Sequence, residues 1–315
     1  MLIIVGLALG WSTLGTEDFE GQLQKTTDTP VITRRDYAAT VISFGEGPKR
    51  MLLVNGIGMT ILTPITKFMV HLPLAFHKEP PKSALVICFG MGTSYRSAMS
   101  WGIDATVVEL VPSVTKAFGF YHADTARFIN ATNGHIIIDD GRRFLKRTDK
   151  KFDVIVVDPP PPVQAAGSSL LFSKEFYDVA KQHLNPGGIL QMWYPGSPQA
   201  PTGQAALRSM YESFPNVRCF ASVEGWGMHM LGSMEPIEQV DADHLAARMP
   251  ESARRDLLEW YDTTNTPVAL GHILDHEFPA TDFLGPDPTI QVTDDEPFNE
   301  YYLLRRLLGG GKSGF

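Results

Sequence analysis

The stretch 83–93, SALVICFGMGT, constrains this chain more than any other. Leu85, Val86, Ile87, Cys88 and Phe89 form an apolar run with a β-branched share, the pattern of a central parallel strand covered on both faces. Gly90 and Gly92 then let the backbone turn sharply and approach a ligand, because neither carries a Cβ. Thr93 and Ser94 are good N-caps for a helix over 95–101. Strand, glycine turn and helix start together form a nucleotide-binding corner at the edge of an open α/β sheet.

A lone G-x-G can equally be a tight βα turn. The following strand, 104–110 (DATVVEL), adds weight because it brings Glu109 to its end, 17 positions after Gly92. That is close to the spacing at which an acid accepts hydrogen bonds from ribose hydroxyls. The third glycine of G-x-G-x-x-G is absent, since Gly92 is followed by Thr93, Ser94 and Tyr95. A dinucleotide needs that glycine beside its pyrophosphate, so the pattern points to a nucleoside without a diphosphate, such as S-adenosylmethionine or a relative.

Beyond this unit the βα alternation continues. Helices are expected at 113–122, 142–147, 173–184 and 201–214, and strands at 135–139, 152–158, 187–193, 217–223 and 228–232. Alternating units of this kind specify a doubly wound, mostly parallel sheet. Ahead of it, VITRRDYAATVISFG and KRMLLVNG read as antiparallel strands, followed by a helix over 64–77 that KEPPK stops. Four segments result: an apolar start and linker (1–28), a small β-domain with its connecting helix (29–80), a nucleoside-binding α/β core (81–235) and a helical or looped appendage (236–315).

The formal net charge of −8 argues against a general nucleic-acid binder, which needs a basic face. Two distant cysteines, Cys88 and Cys219, read as core thiols inside strands, with neither a disulfide framework nor a metal site. The apolar start, MLIIVGLALGW, is short of the ~20 residues that cross a bilayer. It has no basic leader, which leaves a buried helix, an interfacial anchor or the end of a longer membrane segment.

One sheet edge gathers Gly90, Gly92, Glu109, Asp140 and Asp158. Asp140-Gly141 could accept from an adenine amino group or simply cap the next helix, and Asp139 competes for either role. Asp158 ends an apolar strand and precedes four prolines, Pro159–Pro162, which lack donors and hold the chain extended. There it could take a proton from an attacking amine or orient its lone pair; otherwise it caps a loop. Tyr177, Trp193, Tyr194 and Trp226 could wall the pocket and attract a sulfonium by cation–π contact, although strand aromatics are more often core. TDDEPFNEYY at 293–302 could close the site or bind a cation, its default being a solvated terminal helix.

LVICFGMGT, VVEL, IIIDDGRRFL, FDVIVVDPPPP, LFSKEFYDVAKQHLNPGGIL and the preceding HLPLAFH resemble the polyamine aminopropyltransferases, the spermidine synthase family. The apolar start and the closing TDDEPFNEYY are similar to its bacterial subgroup in which the synthase-like part follows a membrane-embedded half. The resemblance implies a class I methyltransferase-like (Rossmann-like) core behind a small N-terminal β-domain. The co-substrate would be decarboxylated S-adenosylmethionine or S-adenosylmethionine, with no metal, and a small amine would be the acceptor. It further implies a homodimer, in the cytoplasm or at the cytoplasmic face of the membrane.

Residue by residue, Gly90, Gly92 and Thr93 fall on the cofactor loop, Glu109 on the ribose acid, Asp140-Gly141 on the adenine site and Asp158 on the general base. The departures lie in the acceptor half. Met91 replaces the loop Asp, Pro161 the second Asp of D-S-S-D, Ile65-Thr66-Lys67 the Y-H-E and Tyr37-Ala38 the tyrosine–glutamine pair. Transfer of an aminopropyl group with release of methylthioadenosine is therefore expected, with a rewritten acceptor site. Methyl transfer, sulfonium cleavage and ligand sensing without turnover are the alternatives.

Overall fold

A computed structural model describes residues 19–301 except 164 and 166. The apolar start, and the end of the terminal acidic segment from 302 on, lie outside the described residues. After helix α1 (Phe19–Thr26), four short strands form an antiparallel sheet in sequential order: β1 (Ile32–Arg35), β2 (Thr40–Phe44), β3 (Met51–Val54) and β4 (Ile57–Ile61). Val41 and Ile42 of β2 and Leu52 and Leu53 of β3 are buried. Several bonds fix this sheet over the rest of the chain. Ser113 N donates to Asp36 Oδ2 (2.6 Å), Arg50 Nη1 to the Tyr121 carbonyl (2.8 Å) and Tyr121 Oη to Ser43 Oγ (2.8 Å).

Helix α2 (Pro64–Phe76) follows, capped by the Thr63 hydroxyl, which accepts from Ile65 N. It crosses one face of the larger sheet and is buried almost throughout. That sheet has eight strands: β5 (Ser83–Ile87), β6 (Asp104–Glu109), β7 (Gly134–Ile138), β8 (Phe152–Val157), β9 (Leu184–Tyr194), β10 (Asn216–Ala221), β11 (Met228–Ser233) and β12 (Glu277–Phe278). They lie in the order β12-β10-β11-β9-β8-β5-β6-β7. The five from β7 to β9 are parallel, whereas β11 is antiparallel and wedged between β9 and β10. The chain order reverses at β5 between β6 and β8, the switch point where ligands bind in open α/β sheets.

Several expected elements differ in detail. The helix after the glycine turn, α3, spans Thr93–Met99, and its N-cap is Gly92 in a left-handed conformation, so Thr93 and Ser94 lie inside the first turn. The expected helix over 113–122 is two single turns, α4 (Pro112–Thr115) and α5 (Phe118–Tyr121), followed by α6 (Thr125–Ile129). Cys88 is not in the strand: it follows β5 with a φ of 77°, a conformation L side chains rarely take. Cys219 is a buried core thiol in β10.

Helices α7 (Gly141–Arg147), α8 (Lys174–Gln182) and α9 (Pro201–Ser213) cover one face, and α10 (Ala242–Arg248), α11 (Glu251–Leu258) and α12 (Thr266–Leu274) follow β11. α10 and α11 pack against α2, and α11 also meets α3. The segment after 292 is not a solvated helix. Pro297 pairs with Val292, a single 3-10 turn spans Phe298–Tyr301, and Asp294 accepts from Arg142 and from Ser173 Oγ. The cation that Asp294 holds is thus the protein's own Arg142 guanidinium.

No helix among the described residues is long and apolar enough to cross a membrane. His272 and His276 stand one helical turn apart. Each is engaged locally: Nδ1 of His276 bonds the His272 carbonyl and Nδ1 of His272 meets Tyr261 Oη. Among the described residues no group of three potential metal ligands forms.

Candidate active site

A cavity of about 350 Å³ opens at the C-terminal ends of β5, β6, β7 and β8, closed on the far side by β3 and β4 of the small sheet. This follows from the fold, because a parallel strand ends where its βα loop must leave the sheet, and here four such ends meet. Gly90, Glu109, Asp140, Gly141 and Asp158 all line it, as do Cys88 and the prolines 159–162.

Glu109 ends β6 with its carboxylate turned back across the β5 loop. Oε2 accepts from Phe89 N (2.8 Å) and Oε1 from Val111 N (2.9 Å). Burial raises its carboxyl above the ordinary value, with these backbone donors pulling the other way. Asp140 caps α7, Oδ1 accepting from Arg143 N (2.7 Å), and also lines the cavity. Asp139 accepts instead from Asp140 N and from Arg143 and does not line the cavity.

Asp158 follows β8, its backbone N–H bonded to the Ile87 carbonyl. Its carboxyl carries no hydrogen bond or ion pair among the described residues, and burial alone pushes it up to about 7. The four prolines that follow lack donors and leave it without a backbone N–H from its own loop. Cys88 sits beside Glu109, Asp158 and Asp140. Burial first, and then these carboxylates, hold its thiol well above the ordinary value, so it is protonated.

Other expected site residues lie elsewhere. Gly92 does not line the cavity; with φ at 83°, a Cβ there would stand 2.4 Å from the Phe118 ring, so it serves packing. Gly90 does reach the cavity at φ 52°, and a Cβ there would meet only Thr60, at 3.5 Å. Gly92→Ala is accordingly expected to cost about 2–4 kcal/mol through overpacking and left-handed strain. A fall in the denaturant midpoint at unchanged slope would register it. Thr93 is buried against His122, its hydroxyl 3.3 Å from Nε2.

Tyr177, Tyr194, Trp193 and Trp226 do not wall the cavity either. Tyr177 is fully buried between Phe176 and Phe214, and Tyr194 Oη donates to Thr202 (2.7 Å). Trp193 packs edge-on to Trp226 and against His229 on β11. Tyr177 on α8 and Trp193 and Tyr194 at the end of β9 pack into the layers on the sheet faces, and Trp226 lies half-exposed between β10 and β11.

The sequence reading missed the opposite wall. Leu52 and Val54 of β3, and Ile57, Met59 and Thr60 of β4, all face the cavity. They belong to the β3–β4 hairpin, and only the tertiary contact shows what that hairpin covers.

The strand order, with β11 inserted antiparallel near one edge, and the glycine turn after β5 define the class I methyltransferase-like fold. Its likeness to solved structures agrees. A spermidine synthase from Thermotoga maritima superposes with a TM-score of 0.60 at 21% identity, over 81% of this chain and 87% of that one. A spermidine synthase in complex with the transition-state analogue AdoDATO gives 0.62 at 20% identity, over 81% and 88%.

Residues 63–211 match the family model of the spermine/spermidine synthase domain. Among curated relatives, a polyamine aminopropyltransferase of Thermoplasma acidophilum is 29% identical over 171 residues, 52% of this chain and 62% of the relative. One from Pseudomonas syringae is 34% identical over 171 residues, 50% of this chain and 56% of the relative. The chain thus spans less than two thirds of these relatives' length.

Proposed function

We propose that this chain is an aminopropyltransferase, moving the aminopropyl group of decarboxylated S-adenosylmethionine to an amine and releasing methylthioadenosine. The carrying observation is the charge of the cavity. Three carboxylates line it, Glu109, Asp140 and Asp158, and no cationic side chain does among the described residues. An amino-acid carboxylate on the ligand would have no counter-ion there, whereas a sulfonium and an ammonium would be attracted. That favours the decarboxylated nucleoside.

The residues fit such a ligand in distinct roles. Glu109 would accept from the ribose hydroxyls and Asp140 from the adenine amino group, with Gly90 allowing close approach of the loop. Asp158, poised near 7, takes a proton from the acceptor ammonium and holds the resulting lone pair towards the methylene carbon beside sulfur. The C–N bond forms as the C–S bond breaks. The bonding pair goes to sulfur, leaving neutral methylthioadenosine, the product amine keeps the positive charge, and the proton on Asp158 passes to water.

The test is incubation with either sulfonium nucleoside, with and without amines. Methylthioadenosine formed only with amine and only from the decarboxylated nucleoside is expected. S-adenosylhomocysteine, amine-independent cleavage, or no product at all would each overturn the reading. Glu109→Gln puts an amide N–H against the N–H of Phe89 or Val111. It is expected to weaken methylthioadenosine binding about tenfold, through an unmet hydrogen bond, in a calorimetric titration.

A further inference from the structure

The segment from Val292 to Glu300 belongs to neither sheet, yet it fastens two walls of the cavity. It is itself pinned to the helices behind it. Val292 is fully buried, its N–H donates to Ser209 Oγ on α9 (2.7 Å), and its carbonyl accepts from Lys174 N at the start of α8 (3.1 Å). Asp294 N donates to Glu175 Oε2 (2.9 Å). From that anchorage two acids reach out. Asp294 receives both arms of the Arg142 guanidinium, Oδ1 at 2.7 Å and Oδ2 at 2.5 Å, and Oδ1 also accepts from Ser173 Oγ (2.8 Å). Glu300 Oε1 accepts from Ser169 Oγ (2.8 Å), in the 3-10 turn Ser169–Phe172. The residues so held adjoin the cavity lining: Arg142 follows Asp140 and Gly141, and Ser169 lies between Ser168 and Leu171, all of which line it.

We infer that Asp294 is a positioning residue for the nucleoside, fixing through Arg142 the wall that meets the adenine; this rests on the reading of Asp140 as acceptor of the adenine amino group. At seven residues α7 is too short to be held by its own backbone bonds, so contacts with the rest of the chain set where its N-terminus stands. Gly141 supplies one contact: a Cβ there would lie 2.4 Å from the Ile87 side chain, so the backbone is pressed against β5. A single point of packing leaves a helix free to tilt about it. Among the described residues, the Arg142–Asp294 pair is the side-chain bonding that ties α7 to a distant part of the chain, since Arg143 turns back to Asp139 and Asp140. A two-pronged guanidinium–carboxylate contact prescribes direction as well as distance. Asp140 sits one turn away from that contact. A hydrogen bond of about 2.9 Å lengthened by about 1 Å is no longer one, so a small tilt of α7 is enough to lose the amino group.

Methylthioadenosine and its 6-deamino analogue, with purine in place of adenine, differ by that one amino group. Each is titrated calorimetrically into the full chain. The unaltered protein is expected to prefer the amino compound about tenfold. Asp294→Ala is expected to remove most of this preference, Arg142→Ala to do the same, and the two together to do no more than either alone, as for groups acting through one contact. Asp294→Asn, which keeps the shape, should lie between the parent and Asp294→Ala. A role in stability alone would lower the melting temperature and leave the ratio untouched. That is the pattern expected of Glu238→Ala, which breaks the Arg248 ion pair at residues that do not line the cavity. An unchanged ratio in folded Asp294→Ala or Asp294→Asn, additive losses in the double variant, no preference in the unaltered chain, or binding of neither nucleoside would each overturn the inference. Turnover of decarboxylated S-adenosylmethionine is followed separately. Absence of methylthioadenosine with every amine sinks the transfer reading, while the binding ratio still decides the role of Asp294.

Discussion

Asp158→Asn is expected to cut methylthioadenosine formation by roughly 10²–10⁴-fold, the usual contribution of a positioned base, and at the same time to stabilise the protein above pH 7. Both effects come from one fact: burial lifts this carboxyl from 3.8 to about 7. In the folded state it holds its proton more tightly than in the unfolded chain. The stabilisation this provides is complete below about pH 4, where both states are protonated, and is lost as pH rises through about 7. At pH 8 the folded protein therefore carries an ionised, unpaired carboxylate that the unfolded chain would solvate freely. The size of the rise sets a ceiling of roughly 4 kcal/mol, and water entering the cavity brings the effect nearer ~2 kcal/mol.

Asparagine removes the charge but keeps the shape. Melting curves of the two proteins should coincide near pH 4 and separate at pH 8, the variant melting higher by roughly 2–4 °C per kcal/mol. On the proposed transfer reading, the unaltered protein should show activity climbing with pH and levelling above about 7, as the base form fills. A variant that loses activity but is less stable at pH 8 would show that Asp158 has partners in solution, and the base assignment would fall with it.

What the sequence discloses and what it withholds follow the range of the forces involved. FDVIVV is apolar at most positions because β8 is buried on both faces, and that pattern is local. The same holds for SALVI, for the Asp–Gly that caps α7 and for the acid at the end of β6, so the rim of acids and Gly90 was legible. The insertion of β11 between β9 and β10 was not, since strand order is decided by packing between distant segments. Gly92 looked like a ligand glycine and is one half of a contact with Phe118, a residue 26 positions on. Tyr177 and Trp193 have the composition of a pocket wall and the placement of core, a difference periodicity cannot register. Lys67, read as a carboxylate replaced by its opposite, proved more informative than a loss: its partners lie 189 and 192 positions away.

Those partners carry the second large effect. Lys67 is fully buried on α2, its Nζ 3.0 Å from Asp256 and 2.8 Å from Glu259, and 4.4 Å from the centre of the Trp260 ring. Asp256 on α11 also accepts from Ser97 Oγ (2.6 Å), Arg96 Nη1 (2.8 Å) and His71 Nε2 (2.9 Å). Trp101 Nε1 donates to Nδ1 of the same imidazole, so Nε2 bears the hydrogen and the ring is neutral, as its burial also favours. Burial alone would raise the Asp256 carboxyl, yet the His71 bond and the Lys67 charge hold it far below the ordinary range. One carboxylate thus ties α2, α3 and α11 together behind the sheet.

Asp256→Ala leaves the Lys67 ammonium with only the partly exposed Glu259, and two buried donors with nothing. The expected loss is about 3–5 kcal/mol, the cost of breaking a buried charge cluster from one side. In urea, at neutral pH, the midpoint should fall while the slope stays constant. Replacing Lys67 and Asp256 together by methionine and leucine should recover most of it, because the desolvation penalty disappears along with the attraction. The depressed carboxyl makes the sign of the pH effect definite: its stabilisation is present above about pH 4 and drains as pH falls below that, so unaltered and Asp256→Ala proteins should converge in acid. If the single variant were as stable as the parent at pH 7, α11 would not be held by charge, and the apolar contacts of Leu257 and Ala253 alone would have to fix it.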